Sequence, residues 1–586
     1  MKINIIYHDF SYNVMVDVEV LTFIFKKFKE KPEPVYVNVN NYKCEEAEIN
    51  IFLDKVNYGY FHKAKYNIFI PNQHYFNKNN IEFLNCFDMI FCKSKYIIET
   101  LKPYVDHDKL NYTGWRSPDI SIPTISKNFD DYLVLYQDMS YSPVKKIIDA
   151  WETSYPNLHV VIQVNDKNFI KKEQDNITYY DNSNLDLAKY HNLFNRCGIH
   201  LCLQESESYC HMINQCKLAK SLPVSLNGGC FKELVNNECG FFVSGKKKKL
   251  KYSLGSRYIF NEEGLDETLK QIKGTSAPSL KIMGTNGRTQ ALKAHNECDD
   301  LIKETIQTVF KQLKQIKLRK IFKKDKDKKV TDQYNITDDK LPTVSIITPT
   351  YNRKNFFPLA ILNYNSIVYP RNKLEWIIVD DSDDIECVES LLPPLENREK
   401  INIHYYRLPT KKFDQELKPD PGNMTIGEKR NYAIEKANND VIVFMDDDDY
   451  YPKNSVKERV TALLNFNKQC VCSTVIGCFH ISRYISIIST PPIDDVYSEK
   501  ISEATLCFYK SFWDKAKFDH TDSCEGKSFI EGRIHEIIEL PFTNIINSLL
   551  HRDNTSQRKI PPKQTANGCH FGWSEKLFQF ITGLNK

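Results

Sequence analysis

Four consecutive aspartates, Asp446 to Asp449, follow directly on the apolar run VIVFM at 441–445. Carboxylates this close repel one another unless a cation lies among them. An oxygen-rich set at the end of a buried strand suits Mg²⁺ or Mn²⁺, held by one or two carboxylates together with substrate phosphates. Asp446 and Asp448 have the alternate spacing that turns two side chains to one side of an extended segment. The competing reading is an acidic surface turn, which the partner motifs weigh against. A second carboxylate pair, Asp380 and Asp381, follows the apolar run WIIV in the same way, and PTYNR (349–353) follows VSIIT. Gly427, Glu428, Lys429, Arg430 and Asn431 fall on the first turn of a predicted helix that ends just before VIVFM. There Lys429, Arg430 and the helix N-terminus are expected to face a diphosphate.

Such groups need strands to carry them. The C-terminal part alternates VSIITPTYNR (344–353), EWIIVDDSDD (375–384) and DVIVFMDDDDYYP (440–452) with helical patterns, which predicts a parallel sheet covered by helices. The N-terminal half shows the same alternation, with strands predicted at 3–7, 34–39, 49–53, 66–70 and 87–92, then at 132–136, 158–164 and 198–203. A stretch rich in proline and serine (117–131) separates two α/β units there. Apolar residues Leu301, Ile306, Phe310, Leu313 and Ile316 predict a helix that runs into a lysine-rich stretch. The predicted divisions are 1–125, 126–315, a linker at 316–340, and 341–586.

Composition narrows the function. Lys and Arg number 79 against 75 Asp and Glu, a formal charge of +4, too balanced for a nucleic-acid polyelectrolyte binder. No uninterrupted apolar stretch of about 18 residues predicts a spanning helix. The N-terminus meets His8 and Asp9 too early for a signal peptide. Seventeen scattered cysteines without a CxxC pair read as free thiols in a reducing compartment. The expectation is a cytoplasmic protein, with peripheral membrane contact available through the lysine-rich stretch.

Residues 341–586 resemble a family 2 glycosyltransferase of GT-A-type fold. The resemblance rests on PTYNR (349–353), IIVDDSDD (377–384), GEKRNYAIEKANNDVIVFMDDDD (427–449) and CEGKSFIEGR (524–533). It implies that Thr350, Tyr351, Asn352, Arg353 and Asp381 border the nucleotide pocket, with Asp380, Lys429, Arg430, Asp446 and Asp447 also on the nucleotide-sugar side. It further implies that Asp446 and Asp448 hold the metal, and that His551 falls where some relatives supply an imidazole. Such enzymes invert the anomeric centre. A carboxylate takes the acceptor proton and a metal stabilises the departing diphosphate. Relatives carry Glu-Asp where this chain has Glu525-Gly526. Glu525 is therefore the expected base, with Asp522 the second choice; Arg552 and Arg558 are further candidates for phosphate oxygens.

Residues 1–310 resemble, more faintly, a family 4 glycosyltransferase of the two-lobed GT-B-type fold. The resemblance rests on DMIFCKSKYIIETL (88–101), HVVIQV (159–164) and ESYCHMINQCKLAKSLPVSLNGGCFKELV (207–235). It implies a donor site at Lys145, Glu207 and Gln215. Two glycines of the pattern are Ser208 and Cys210 here, its second Glu is Gln215, and its arginine is Ser140. Loss of the glycines removes the backbone's easiest approach to phosphate. The run Lys246–Lys249 is expected in a loop.

The leading expectation is a metal-dependent, bifunctional glycosyltransferase that uses a nucleotide sugar, with UDP favoured over GDP, and a glycan or protein acceptor. One alternative is a carbohydrate-binding or scaffolding protein with one or both modules inactive. Another is nucleotidyl or phosphoryl transfer on the same fold.

Overall fold

The computed structural model describes residues 2–8, 11–28, 31–39, 44–136, 143–164, 169–181, 185–324, 336–408, 424–491, 495–552, 554 and 565–584. By its internal contacts the chain forms two compact units. One is Met1–Asn57 with Lys63–Lys328; the other is Tyr58–His62 with Lys329–Lys586.

The first unit contains two parallel sheets. Strands β1 (Lys2–Tyr7), β2 (Glu33–Asn38), β3 (Ala47–Asp54), β4 (Ala64–Pro71), β5 (Met89–Cys92) and β6 (Leu110–Tyr112) lie in the order β2-β1-β3-β4-β5-β6. Strands β7 (Asn128–Tyr136), β8 (Asn157–Ile162), β9 (Ile177–Tyr180), β10 (Cys197–Cys202), β11 (Leu222–Leu226) and β12 (Phe241–Val243) follow in the order β12-β11-β10-β7-β8-β9. Near-continuous Ile, Val, Leu and Phe in these strands is what a parallel sheet buried on both faces requires. The eight strands predicted here all form.

The helix Ala277–Lys324 runs further than expected, into the lysine-rich stretch assigned to the linker. Lysine is a good helix former, so charge alone does not end a helix. Ile302, Ile306, Val309, Phe310 and Leu313 of this helix join the core under the first sheet, whereas Leu301 is exposed. Leu301 falls off the apolar stripe although its type suits it. Lys246–Lys249 also differ from expectation. They form strand β13 (Gly245–Lys249), paired antiparallel with β14 (Ser256–Phe260). The ladder is made by backbone groups, so a strand exposed along its whole length can be built from lysines.

The second unit is built on a seven-stranded mixed sheet. Its strands are β15 (Val344–Thr350), β16 (Leu374–Asp380), β17 (Ile403–Arg407), β18 (Val441–Phe444), β19 (Cys470–Cys472), β22 (Cys507–Tyr509) and β23 (Ile537–Glu539), in the order β17-β16-β15-β18-β22-β19-β23. A smaller sheet, β21-β20-β24, consists of β20 (Ile476–His480), β21 (Ile485–Ser489) and β24 (Asn547–Leu550). β15 pairs in parallel with β16 and β18, so the carboxyl ends of these strands open on one edge. Trp376 on β16 fixes this region: its ring stacks on Tyr364 at 4.4 Å, and its Nε1–H donates to Thr348 Oγ1 at 2.9 Å. Among the described residues, no helix is long and apolar enough to cross a membrane.

Candidate active site

The turns after β15 and β16 are laced together. Asn352 adopts a left-handed φ of 51°, which Asn tolerates better than most residues. Its N–H donates to Ser382 Oγ (2.7 Å), its side-chain amide donates to Asp383 Oδ2 (3.1 Å), and its Oδ1 accepts from Asp383 N–H (2.9 Å). Tyr351 stays exposed beside this turn, and Thr350 is buried.

The aspartates after β16 divide sharply. Asp380 is fully buried and its oxygens are already taken. Oδ1 accepts from Ser382 N–H (2.8 Å), and Oδ2 accepts from Val388 N–H (3.0 Å) and the Tyr405 hydroxyl (2.9 Å). Arg407 adds a contact at 3.4 Å. These bonds brace the turn, in place of the ligand-facing position expected for Asp380. Asp380→Ala would orphan two buried N–H groups and a cation. It is expected to cost about 2–4 kcal/mol, which thermal unfolding of the full chain would read. Asp381 instead pairs one oxygen with Lys429 Nζ at 2.8 Å, while Oδ2 is buried with no hydrogen-bond partner among the described residues. Burial pushes its pKa up, and Lys429 offsets only part of that.

Lys429 and Arg430 lie on the helix Ile426–Lys436, which begins with a capping box between Thr425 and Glu428. Its leading amides are not open to a diphosphate, contrary to expectation. Ile426 N–H donates to Asp522 Oδ1 (3.0 Å), Gly427 N–H to the Thr521 carbonyl (3.1 Å) and Glu428 N–H to Thr425 Oγ1 (3.3 Å). Asp522, the second-choice base, is thus engaged at the helix end. Nor is either cation unengaged. Lys429 holds Asp381. Arg430, 3% exposed, reaches Asp446 with Nη2 (3.0 and 3.1 Å) and Glu525 with Nη1 (2.7 Å). Arg430 also covers the Phe444 ring at 4.6 Å.

β18 ends at Phe444, so Asp446–Asp449 occupy a turn rather than the extended segment expected. Each carboxylate consequently faces a different partner. Asp446 faces Arg430. Burial raises its pKa, Arg430 offsets part of this, and Asp448 adds to it. Asp447 is buried near Thr350, and burial with the neighbouring Asp448 pushes its carboxyl well above the ordinary range. Asp448 Oδ2 lies 3.1 Å from His551 Nε2, 3.4 Å from Asn554 Nδ2 and 3.7 Å from Arg353 Nε. Burial would raise Asp448, but His551 and Arg353 hold it below the carboxylate range. Asp449 is structural: its Oδ1 accepts from Leu549 N–H at 2.9 Å.

His551 is buried and stacks on Phe356 at 4.1 Å. Among the described residues, no three His, Cys, Asp or Glu side chains converge as a ready metal site. The donor chemistry nevertheless fits a divalent cation in a narrower form, with one carboxylate oxygen of Asp448 and one imidazole nitrogen of His551, leaving the remaining positions to substrate oxygens. Asp446, turned to Arg430, stands apart from that pair. Arg552 is exposed beyond His551, and Arg558 lies outside the described residues.

Glu525 is buried in the loop that follows Phe518. Three bonding residues set this neighbourhood: Arg459 and Glu503, which no motif singles out, and Asn431 of the GEKRN segment, whose partners the motif does not indicate. Arg459 is wholly buried and donates to the carbonyls of Phe444 (3.0 Å), Thr505 (3.3 Å) and Leu506 (3.2 Å). Asn431 binds Trp513 Nε1–H (2.8 Å), Phe518 N–H (3.1 Å) and the Phe518 carbonyl (2.9 Å). Glu503 accepts from Gly526 N–H at 3.2 Å. Their partners are distant in sequence, so spacing gave no sign of them.

In the first unit, Lys145 is exposed on the helix Val144–Ala150, Glu207 lies in the loop after β10, and Gln215 is buried in the helix His211–Leu218. The Glu207 carbonyl accepts from Gln73 Nε2 at 2.7 Å. Ser140 lies outside the described residues. One buried polar group with several partners was not singled out by the sequence, Asp17. It is 1% exposed, pairs with Lys93, and accepts from Trp115 Nε1 (2.6 Å) and faces His211 Nε2 (3.2 Å). Burial opposes its charge, and Lys93 and His211 overcome that, so Asp17 stays ionised below the ordinary range.

Residues 345–506 match the family model described as Glycosyl transferase family 2, so the second unit carries a glycosyltransferase domain. An uncharacterized glycosyltransferase of Haemophilus influenzae is 22% identical over 166 residues, 28% of this chain and 57% of that protein. Poly(ribitol-phosphate) beta-N-acetylglucosaminyltransferase TarS of Staphylococcus aureus is 25% identical over 114 residues, 20% of this chain and 18% of TarS. The matches thus span little more than half of one relative and a fifth of the other. Among solved structures, the Pyrobaculum calidifontis mannosyltransferase PcManGT, in complex with GDP-Man and Mn²⁺, aligns with a TM-score of 0.27 at 17% identity, over 39% of this chain and 62% of that one. Anabaena HepE, in complex with UDP and glucose, aligns with a TM-score of 0.39 at 11% identity, over 53% of this chain and all of that one.

Proposed function

We propose that the second unit transfers a sugar from a nucleoside-diphosphate donor to a hydroxyl of a glycan or protein acceptor, with inversion at the anomeric carbon. The observation that carries this reading is the line of charged contacts Glu525–Arg430–Asp446, with Asp448 of the adjoining turn facing His551, at the carboxyl ends of parallel strands. Glu525 takes the acceptor proton as the acceptor oxygen bonds to the anomeric carbon. The bond from that carbon to the diphosphate breaks, and the nucleoside diphosphate leaves. Asp381 Oδ2 is a buried acceptor suited to a ring N–H of the base, with Lys429 holding the other oxygen. Uracil and guanine both carry such a group; UDP is the favoured donor nucleotide.

Asp448 and His551 would hold Mn²⁺ or Mg²⁺ beside the diphosphate, where the ion would supply positive charge to the leaving group. Asp446 would then serve chiefly through Arg430. Thr350 to Arg353 border the nucleotide, with Asn352 keeping the two turns in register.

The first unit is read as a GT-B-type module, so that the chain would be bifunctional. Two six-stranded parallel sheets in one unit support that reading, and Glu207, Lys145 and Gln215 are its donor-side candidates.

The test is nucleotide release from UDP- and GDP-sugars with Mn²⁺, comparing the full chain with Asp448→Asn. Release from one donor, reduced about a hundredfold in the variant, would support the second unit as the enzyme. Release untouched by Asp448→Asn would move the chemistry to the first unit, and Glu207→Gln would then be expected to stop it.

A further inference from the structure

Gly526 follows Glu525, and it is crowded from behind by a carboxylate. A Cβ at position 526 would meet Cγ and Oε1 of Glu503 at 3.1 Å. Glu503 Oε1 also accepts the Gly526 N–H at 3.2 Å. Glu503 belongs to the short turn Glu503–Thr505 that leads into β22, far from the 519–527 loop in sequence. It therefore occupies the space that a side chain at 526 would need and grips the peptide that carries Glu525.

The charges around it are few. Among the described residues, Arg430, from the helix Ile426–Lys436, and Glu525, from the loop, are the charged side chains that bear on Glu503. The Cys524 thiol is pushed up by burial and then by Glu503, and it stays neutral. Tyr451 and Arg459 turn to the carbonyls of Ala504, Thr505 and Leu506, away from the carboxylate. Cys470 and Cys472 on β19 are buried thiols pushed well up. The backbone contributes too: Cys524 adopts a left-handed φ of 53°, which costs a residue with a Cβ and aims Glu525 inward.

We propose that Glu503 is the positioning residue for Glu525, gripping the 525–526 peptide from behind. This rests on the reading of Glu525 as that acceptor. Burial, and then the charge of Glu525, push Glu503 up to about 7, with Arg430 offsetting part. A carboxyl raised from about 4.5 to about 7 on folding binds its proton more tightly in the native state. Stability from this group is therefore full below the lower value and is lost as pH rises through the upper one.

The experiment uses the full-length chain as Glu503→Gln, Glu503→Ala and Glu525→Gln. It reads nucleotide release against pH from UDP- and GDP-sugars with Mn²⁺, and the unfolding temperature against pH. Glu503→Gln keeps an oxygen for the Gly526 N–H but removes the charge. Its release is expected to stay close to wild type, at unchanged donor KM, because the Gly526 N–H keeps its acceptor. Glu503→Ala loses the grip as well and is expected to lose about tenfold to hundredfold in kcat. The Tm of Glu503→Gln minus that of wild type should grow between about pH 5 and pH 8. A Glu503→Ala kcat equal to that of wild type would overturn the proposal, as would a loss in Glu503→Gln as large as that in Glu503→Ala; a flat Tm difference overturns it even without turnover. Glu525→Gln separates the two readings. If it turns over normally, the acceptor assignment fails. If it is silent while Glu503→Ala matches wild type, only the positioning role fails.

Discussion

Arg430→Met is expected to lower nucleotide release on the order of a thousandfold and to destabilise the second unit by about 3–5 kcal/mol. The guanidinium lies between Asp446 and Glu525 and is almost wholly buried, so methionine fills the volume and leaves two carboxylates facing each other without a cation. For a unit of this size that corresponds to a Tm lower by roughly 6–20 °C. The two effects should separate in a double variant. Arg430→Met/Asp446→Asn removes half of the exposed repulsion and should recover part of the Tm without recovering turnover, because the cation that faces Glu525 is still missing. Arg430→Lys should fall between, since an ammonium cannot reach two carboxylates from one planar fork. Calorimetry with donor turnover on the same samples checks this. A Tm of Arg430→Met within a degree or so of wild type would show that the carboxylates have another partner.

How far this arrangement could be read in advance depends on the range of the interaction. Strand–helix alternation and the residues at strand ends are local, and the runs INIIY, YLVLY, VSIIT and VIVF all became strands of parallel sheets. The cluster around the second sheet was legible for the same reason: Thr350, Asp381, Lys429, Arg430 and the Asp run each lie at the end of a readable element. Which partner each would choose was not legible. Asp380 and Asp381 are adjacent and of one type, yet the first is spent on bracing its turn and the second keeps an oxygen without a partner among the described residues. That difference is set by Val388 and Tyr405, which spacing does not bring near.

Helix capping misled in a more general way. A GEKRN segment at a helix start suggests open amides for a phosphate, but the loop 519–522 returns from almost a hundred residues away and occupies them. Glu503 was hidden for the same reason. A lone glutamate before a short strand carries no pattern, and it acquires meaning only through contact with a glycine from another loop. The lysine strand β13 is the converse case, where side-chain type predicted a loop although backbone pairing alone was sufficient for a strand.

Gly427→Ala carries the second large effect, and its cause is steric. A Cβ at this position would lie 1.8 Å from the Asp519 carbonyl oxygen, a backbone atom that cannot swing aside, and 3.2 Å from Glu525 Cβ. Relief requires the 519–527 loop to move away from the helix Ile426–Lys436. That breaks the bonds from Ile426 and Gly427 to Asp522 and Thr521, and carries Glu525 out of reach of Arg430. A displacement of about 1 Å at a reacting group costs on the order of a hundredfold in rate, so at least that loss is expected. Gly526→Ala is the milder comparison, because its Cβ meets Glu503 Cγ and Oε1 at 3.1 Å, a contact that a shift of a few tenths of an ångström relieves. It should lose less than about tenfold. Kinetics of the two alanine variants at one pH give the comparison. Equal losses would mean that the loop is held by something other than its seat on the helix, and a wild-type rate for Gly427→Ala would mean that the loop's place is irrelevant to turnover.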